Sequence, residues 1–92
     1  MRVTYSPRAL AQLQSIFTYI EEFNPRAASS VVDHIRATAD LLGPYPWTGR
    51  PTDEKHVRVR VDIKYPYLIF YKVLEDIDEV RILRILHGAQ RR

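Results

Sequence analysis

A chain of 92 residues, 46% hydrophobic and 27% charged, suffices for one domain with one core, near the low end of sizes that fold unaided. The absence of cysteine excludes a disulfide framework or a thiolate metal site, and three scattered histidines do not replace one, so neither metal nor cofactor is expected. The net charge of +3 lies wholly in the second half: residues 1–46 carry four Arg and four acids, residues 47–92 ten Lys/Arg and seven acids, an excess that suits an anionic partner.

Arg2 to Tyr5 is short and partly β-branched, and Ser6-Pro7 after it is the pairing of a helix N-cap with proline at the first helical position. The helix that starts there carries Leu10, Leu13, Ile16, Phe17 and Ile20 at three- and four-residue spacing, an apolar stripe that runs to Phe23. Asn24-Pro25 repeats the start signal. Ala28, Val31, Val32, Ile35, Ala39 and Leu42 predict a second helix, which Gly43-Pro44 stops. With almost no loop between them, the two helices are expected to fold back as an antiparallel hairpin.

Residues 43–55, with Pro44, Pro46, Gly49 and Pro51, read as an irregular connector. From His56 the period changes to two. Val57, Val59, Val61 and Ile63 alternate with Arg58, Arg60, Asp62 and Lys64, so one face is expected to pack and the other to carry charge. Tyr67 to Leu74 is a nearly continuous apolar run, as in a central strand; Glu75 to Asp78 is the turn and Val80 to Leu86 the next strand. The expected fold is α+β in the order βααβββ, an N-terminal strand and a helical hairpin followed by a three-stranded antiparallel sheet. No stretch approaches the ~18 apolar residues of a membrane span and the first residues hold no apolar leader, so the expectation is a soluble, cytoplasmic protein without a membrane partner.

Among side chains that carry chemistry, Arg58 and Arg60 leave the same face of one strand with Lys64 further along it, either to grip an anion or as an ordinary solvated face. Arg84, between Ile82 and Leu86 on the expected face, needs a carboxylate partner or a binding surface. His87 ends the last strand, where an imidazole can serve as acid or base or simply hydrogen-bond in the turn that Gly88 allows. Trp47 and Arg50 sit in the connector. Stacking on a partner is one reading of Trp47; filling the gap between hairpin and sheet is favoured, because large aromatics bury. Tyr5, Tyr65, Tyr67 and Tyr71 fall at or in strands and are expected in the core or at its rim.

Val3-Thr4-Tyr5-Ser6-Pro7, Gly49-Arg50 after the Pro-rich connector, Tyr65-Pro66-Tyr67 leading into an apolar strand, and Ile82 to Ala89 together resemble the RelE/ParE superfamily of bacterial toxins from type II toxin–antitoxin modules. The likeness is strongest to the ParE-like branch and covers residues 1–92 as a single toxin domain. It implies growth inhibition, a role in plasmid stabilisation, and a cognate antitoxin whose C-terminal segment wraps the toxin. ParE-like members poison DNA gyrase without cutting anything, whereas RelE-like members cut messenger RNA in the ribosomal A site. The latter use an arginine in the strand matching Tyr67–Val73, and this chain has none there. The residues therefore favour binding over catalysis. Arg50, Arg58, Arg60, Arg84, His87, Arg91 and Arg92 are the candidate contacts to antitoxin or target, and Arg58, Arg60, Arg84 and His87 the candidate catalytic set of the endoribonuclease alternative. A non-toxic partner that acts with the antitoxin as co-repressor is a third possibility.

Overall fold

In the computed structural model, which describes residues 1–62 and 64–88, both predicted helix starts are in place. Ser6 Oγ accepts the Ala9 N–H (3.0 Å) at the head of α1 (Pro7–Glu21), and Asn24 Oδ1 accepts the Ala27 N–H (3.1 Å) at the head of α2 (Pro25–Asp40). Each cap satisfies a donor that the first helical turn leaves without a partner. The helices pack on each other and on one face of the sheet. Ala9, Leu13, Val31, Ile35 and Ala39 join Tyr67, Ile69, Tyr71, Val80, Ile82 and Ile85 in the core, each fully buried aliphatic side chain contributing roughly 1.5–3 kcal/mol.

The sheet is larger than the sequence predicts. It has five strands: β1 (Arg2–Tyr5), β2 (Arg50–Pro51), β3 (Arg58–Val61), β4 (Tyr67–Leu74) and β5 (Glu79–His87), in spatial order β1-β5-β4-β3-β2. It is also mixed, because β1 lies parallel to β5 while the other pairs are antiparallel. The two-residue β2 arises inside the stretch read as irregular connector. Two residues leave no period to read, and Pro51 argues against a strand anywhere but at an edge, where β2 lies. β3 is shorter than the alternating run from His56, and Ile63 lies outside the described residues. The β4–β5 turn falls at Glu75–Ile77, with Asp78 in the left-handed region (φ 53°) that a short polar side chain tolerates.

Glu79 ties β1 to β5. Its side chain is only 4% exposed, yet it meets Arg2 (2.8 Å), Arg81 (2.8 Å) and the donating Thr4 hydroxyl (2.6 Å). The Thr4 hydrogen bond, then Arg2, hold its carboxyl well down, to about 2 against an ordinary 4.5, with Arg81 assisting and burial opposing. Because the folded value is depressed, the ionised group stabilises fully above pH 4.5, and that contribution is lost as pH falls through about 2. Glu79→Gln is therefore expected to melt lower than the parent at pH 7, with the gap closing between pH 4.5 and 2 in paired thermal melts. A gap independent of pH would show that the carboxylate's charge contributes nothing.

One irregularity decides where the end of β5 points. A register shift falls between Phe70 and Tyr71: Phe70 pairs with Arg84 and Tyr71 with Ile82, which leaves Leu83 as an extra residue. Ile82 and Ile85 consequently both face the helices, whereas strict alternation would send them to opposite sides. Helix α1 meets the backbone groups that the bulge frees: Ser6 Oγ donates to the Leu83 carbonyl (2.8 Å), and Gln12 Oε1 accepts the Ile85 N–H (2.7 Å). Gln12→Ala is expected to cost about 1–3 kcal/mol in denaturant unfolding, since it orphans a part-buried N–H.

Candidate functional site

A groove of about 520 Å³ opens between α1 and the ends of β4 and β5. Helix α1 lines it with Gln12, Ser15, Ile16 and Tyr19; the sheet contributes Tyr67, Ile85, Leu86 and His87. Tyr67 and His87 are register partners on neighbouring strands, and their rings meet edge to face at 5.5 Å. Burial, with a smaller push from Tyr19, raises the Tyr67 phenol above its ordinary value, so at neutral pH it stays a neutral hydrogen-bonding group. Beyond the groove, Tyr19 (67% exposed) stacks edge to face on Phe23 (73% exposed) at 5.4 Å. Gln12, Ile16 and Tyr19 share one side of α1 and Phe23 follows just past its end, so a largely apolar strip runs from the groove beyond the helix end.

The arginines singled out from the sequence do not meet at this groove, nor with one another. Arg58 and Arg60 pair with Tyr71 and Ile69, residues of the helix-facing side, and so leave the sheet on that side at the β3 edge. Arg84 pairs with Phe70 and faces the opposite way. Its guanidinium stacks 4.2 Å from the Phe70 ring centre and reaches Glu54 at 3.4 Å, the carboxylate partner that its apolar surroundings called for. The bulge corrects one expectation about it: Leu86 shares its face, but Ile82 does not. Val59 and Leu68, buried on the Arg84 side, likewise show that Val59 packs away from the helices, whereas Val61 on the same side is exposed.

Arg58 is bound into the fold. Its Nε (3.0 Å) and Nη2 (2.7 Å) donate to the Gly49 carbonyl, and it lies 5.3 Å from the Trp47 ring centre. Trp47 does not fill a gap: it is 53% exposed, and Arg58 lies against it. Tyr71 takes the place expected of Trp47, its hydroxyl accepting the Gly49 N–H (2.9 Å) and donating to the Pro46 carbonyl (2.8 Å). Arg50 is exposed on the edge strand β2. Arg91 and Arg92 lie outside the described residues. Of the four residues in the catalytic alternative, only His87 lines the groove. Arg58 stands opposite a β4 residue four positions from the partner of His87, roughly 13 Å along the strand.

The chain matches, over residues 3–92, the family described as the ParE toxin of the type II toxin-antitoxin system, parDE. It belongs to the ParE toxin family. Among relatives of this ParE-family chain, the putative toxin Y4kP of Sinorhizobium fredii is 38% identical over 97% of this chain and 90% of that protein. Toxin RelE2 of Caulobacter vibrioides is 37% identical over 97% of both. The same fold is seen in the chromosomal ParDE toxin–antitoxin system of P. aeruginosa, with a TM-score of 0.84 at 24% identity and 95% of each chain covered. ParE and RelE names thus both occur among the proteins this ParE-family chain resembles, and the names do not separate the two activities. Among the described residues no helix is long and apolar enough to cross a membrane, and no three His, Asp or Glu side chains gather as metal ligands.

Sequence reading missed Gln12, Tyr19 and the exposure of Phe23. A faint signal existed: Ile16, Tyr19 and Phe23 stand at i, i+3 and i+7, but that spacing also describes a helix face turned to the core, and Phe23 was counted there.

Proposed function

We propose that this ParE-family chain is a toxin that acts by binding its target, DNA gyrase, rather than by cutting RNA, and that its antitoxin silences it by laying an apolar, acidic segment along the α1 groove. The observation that carries the choice against cleavage is the dispersal of Arg58, Arg84 and His87. Attack by a 2′-hydroxyl needs a proton acceptor and cations within reach of one phosphate; Arg58 and Arg84 are engaged by Gly49 and by Glu54 with Phe70, and Arg60 stands on β3, two strands from His87 and opposite Ile69 rather than Tyr67. The strand Tyr67–Leu74 adds no arginine. For the antitoxin, the support is the uncovered strip Ile16-Tyr19-Phe23 on a protein of net charge +3, a combination suited to a helix with apolar anchors and acidic flanks.

Inducing the toxin alone in cells tests this reading. DNA breaks and the SOS response are expected to rise before protein synthesis slows; synthesis stopping first, with the DNA intact, would reject it. The similarity to the protein named toxin RelE2 is what keeps a ribosome-dependent endoribonuclease as the second reading.

A further inference from the structure

Arg58 and Arg60, alike in sequence, are unlike in the structure. Arg58 is held by backbone carbonyls and by Trp47, whereas the half-buried Arg60 finds no carboxylate or carbonyl partner among the described residues. It lines a pocket of about 250 Å³ between α2 and the end of β3, together with His34, Thr38, Asp62 and Lys64.

Asp62 organises this pocket. It is 5% exposed, and its Oδ1 lies 2.9 Å from His34 Nε2 while accepting the backbone N–H groups of Lys64 (2.9 Å) and Tyr65 (3.2 Å). One carboxylate oxygen thus orients the imidazole and holds the backbone N–H groups of Lys64 and Tyr65. All three donors meet Oδ1, whereas Oδ2 is buried with no hydrogen-bond partner among the described residues. Arg60 and Lys64 line the same pocket, and Lys64 lies over the face of Tyr65, 5.4 Å from its centre. A partly desolvated guanidinium with no partner of its own is unfavourable unless an anion joins it, and the exposed Lys64 lines the same pocket.

We propose that this pocket binds a phosphate group. A carboxylate has two oxygens in one plane, which the fork of Arg60 alone would satisfy; a phosphate has a further oxygen for Lys64. The volume admits the phosphate but not a nucleotide, whose remainder would lie outside. The site is distinct from the α1 groove and does not rest on the antitoxin assignment.

The full chain in a phosphate-free, low-salt buffer, titrated with inorganic phosphate and followed by NMR, tests this. Saturable shifts are expected at the Arg60 guanidinium and the His34 ring. Arg60→Gln is expected to weaken binding at least about tenfold, as loss of a charge-assisted hydrogen-bond pair implies, and Lys64→Gln to weaken it less. Arg50→Gln should leave it unchanged. Because Arg60 holds no other part of the described chain, Arg60→Gln should melt like the parent, which separates lost binding from lost fold. A nucleoside monophosphate and a short single-stranded oligonucleotide without a terminal phosphate distinguish the sources. Arg60-dependent binding of the first alone indicates a phosphomonoester, and of the second a nucleic-acid backbone. The proposal is overturned if acetate or chloride at equal ionic strength moves the same signals, if phosphate gives no saturable shift, or if Arg60→Gln binds as the parent does.

Discussion

Replacing Tyr71 by alanine is expected to cost about 3–5 kcal/mol, the range for deleting a buried aromatic ring, out of the ~5–15 kcal/mol that holds a domain of this size. The position is completely buried at the centre of β4, and the hydroxyl joins Pro46 and Gly49 to the sheet from across the core. Tyr71→Phe separates the two contributions. The ring stays, but a buried N–H and a carbonyl lose their partner, which costs about 1–3 kcal/mol. Gly49 shares the constraint, since a Cβ there would meet the Tyr71 hydroxyl and approach the Val59 carbonyl to 2.8 Å. Denaturant midpoints measure both variants. A Tyr71→Phe protein as stable as the parent would mean that the connector is held by Arg58 instead.

The second large effect is expected at Ile16, half-buried on the wall of the α1 groove. Ile16→Glu should weaken antitoxin binding by at least about a hundredfold, because like charge facing an acidic segment in a desolvated contact costs several kcal/mol. The exposed Arg50→Glu should cost little, in keeping with ~0–1 kcal/mol for a surface ion pair. Calorimetry of the toxin–antitoxin pair compares them. Protection should follow the same order, since saturating antitoxin at ~100 times its dissociation constant adds about 2.7 kcal/mol to the parent. Equal losses for the two variants would place the interface elsewhere.

The helices were legible because their start signals are local: Ser6-Pro7 and Asn24-Pro25 act on the next turn of chain and need no tertiary partner. Period-two alternation located β3, and the apolar run located β4. What stayed hidden depends on contacts distant in sequence. β1 adds in parallel to β5 across 77 residues, tied by Arg2 and Glu79. The bulge at Leu83 is stabilised by Ser6 and Gln12, and it alone determines which of Ile82, Arg84 and Ile85 face the helices. Strict alternation misplaced Ile82 for that reason. Arg58 and Arg60 were correctly placed on one face, yet their different fates turn on Gly49 and Asp62, which no periodicity connects to them. The family was legible for the opposite reason, since its features are short segments that survive in the sequence itself.

Action on the target by binding alone is tested most directly with purified components. The protein, added to DNA gyrase and relaxed plasmid, is expected to block supercoiling or trap cleaved DNA, and an excess of antitoxin is expected to restore activity. In parallel it should leave messenger RNA on translating ribosomes uncut. Full gyrase activity together with codon-positioned cleavage of the message, abolished by His87→Ala, would contradict the account.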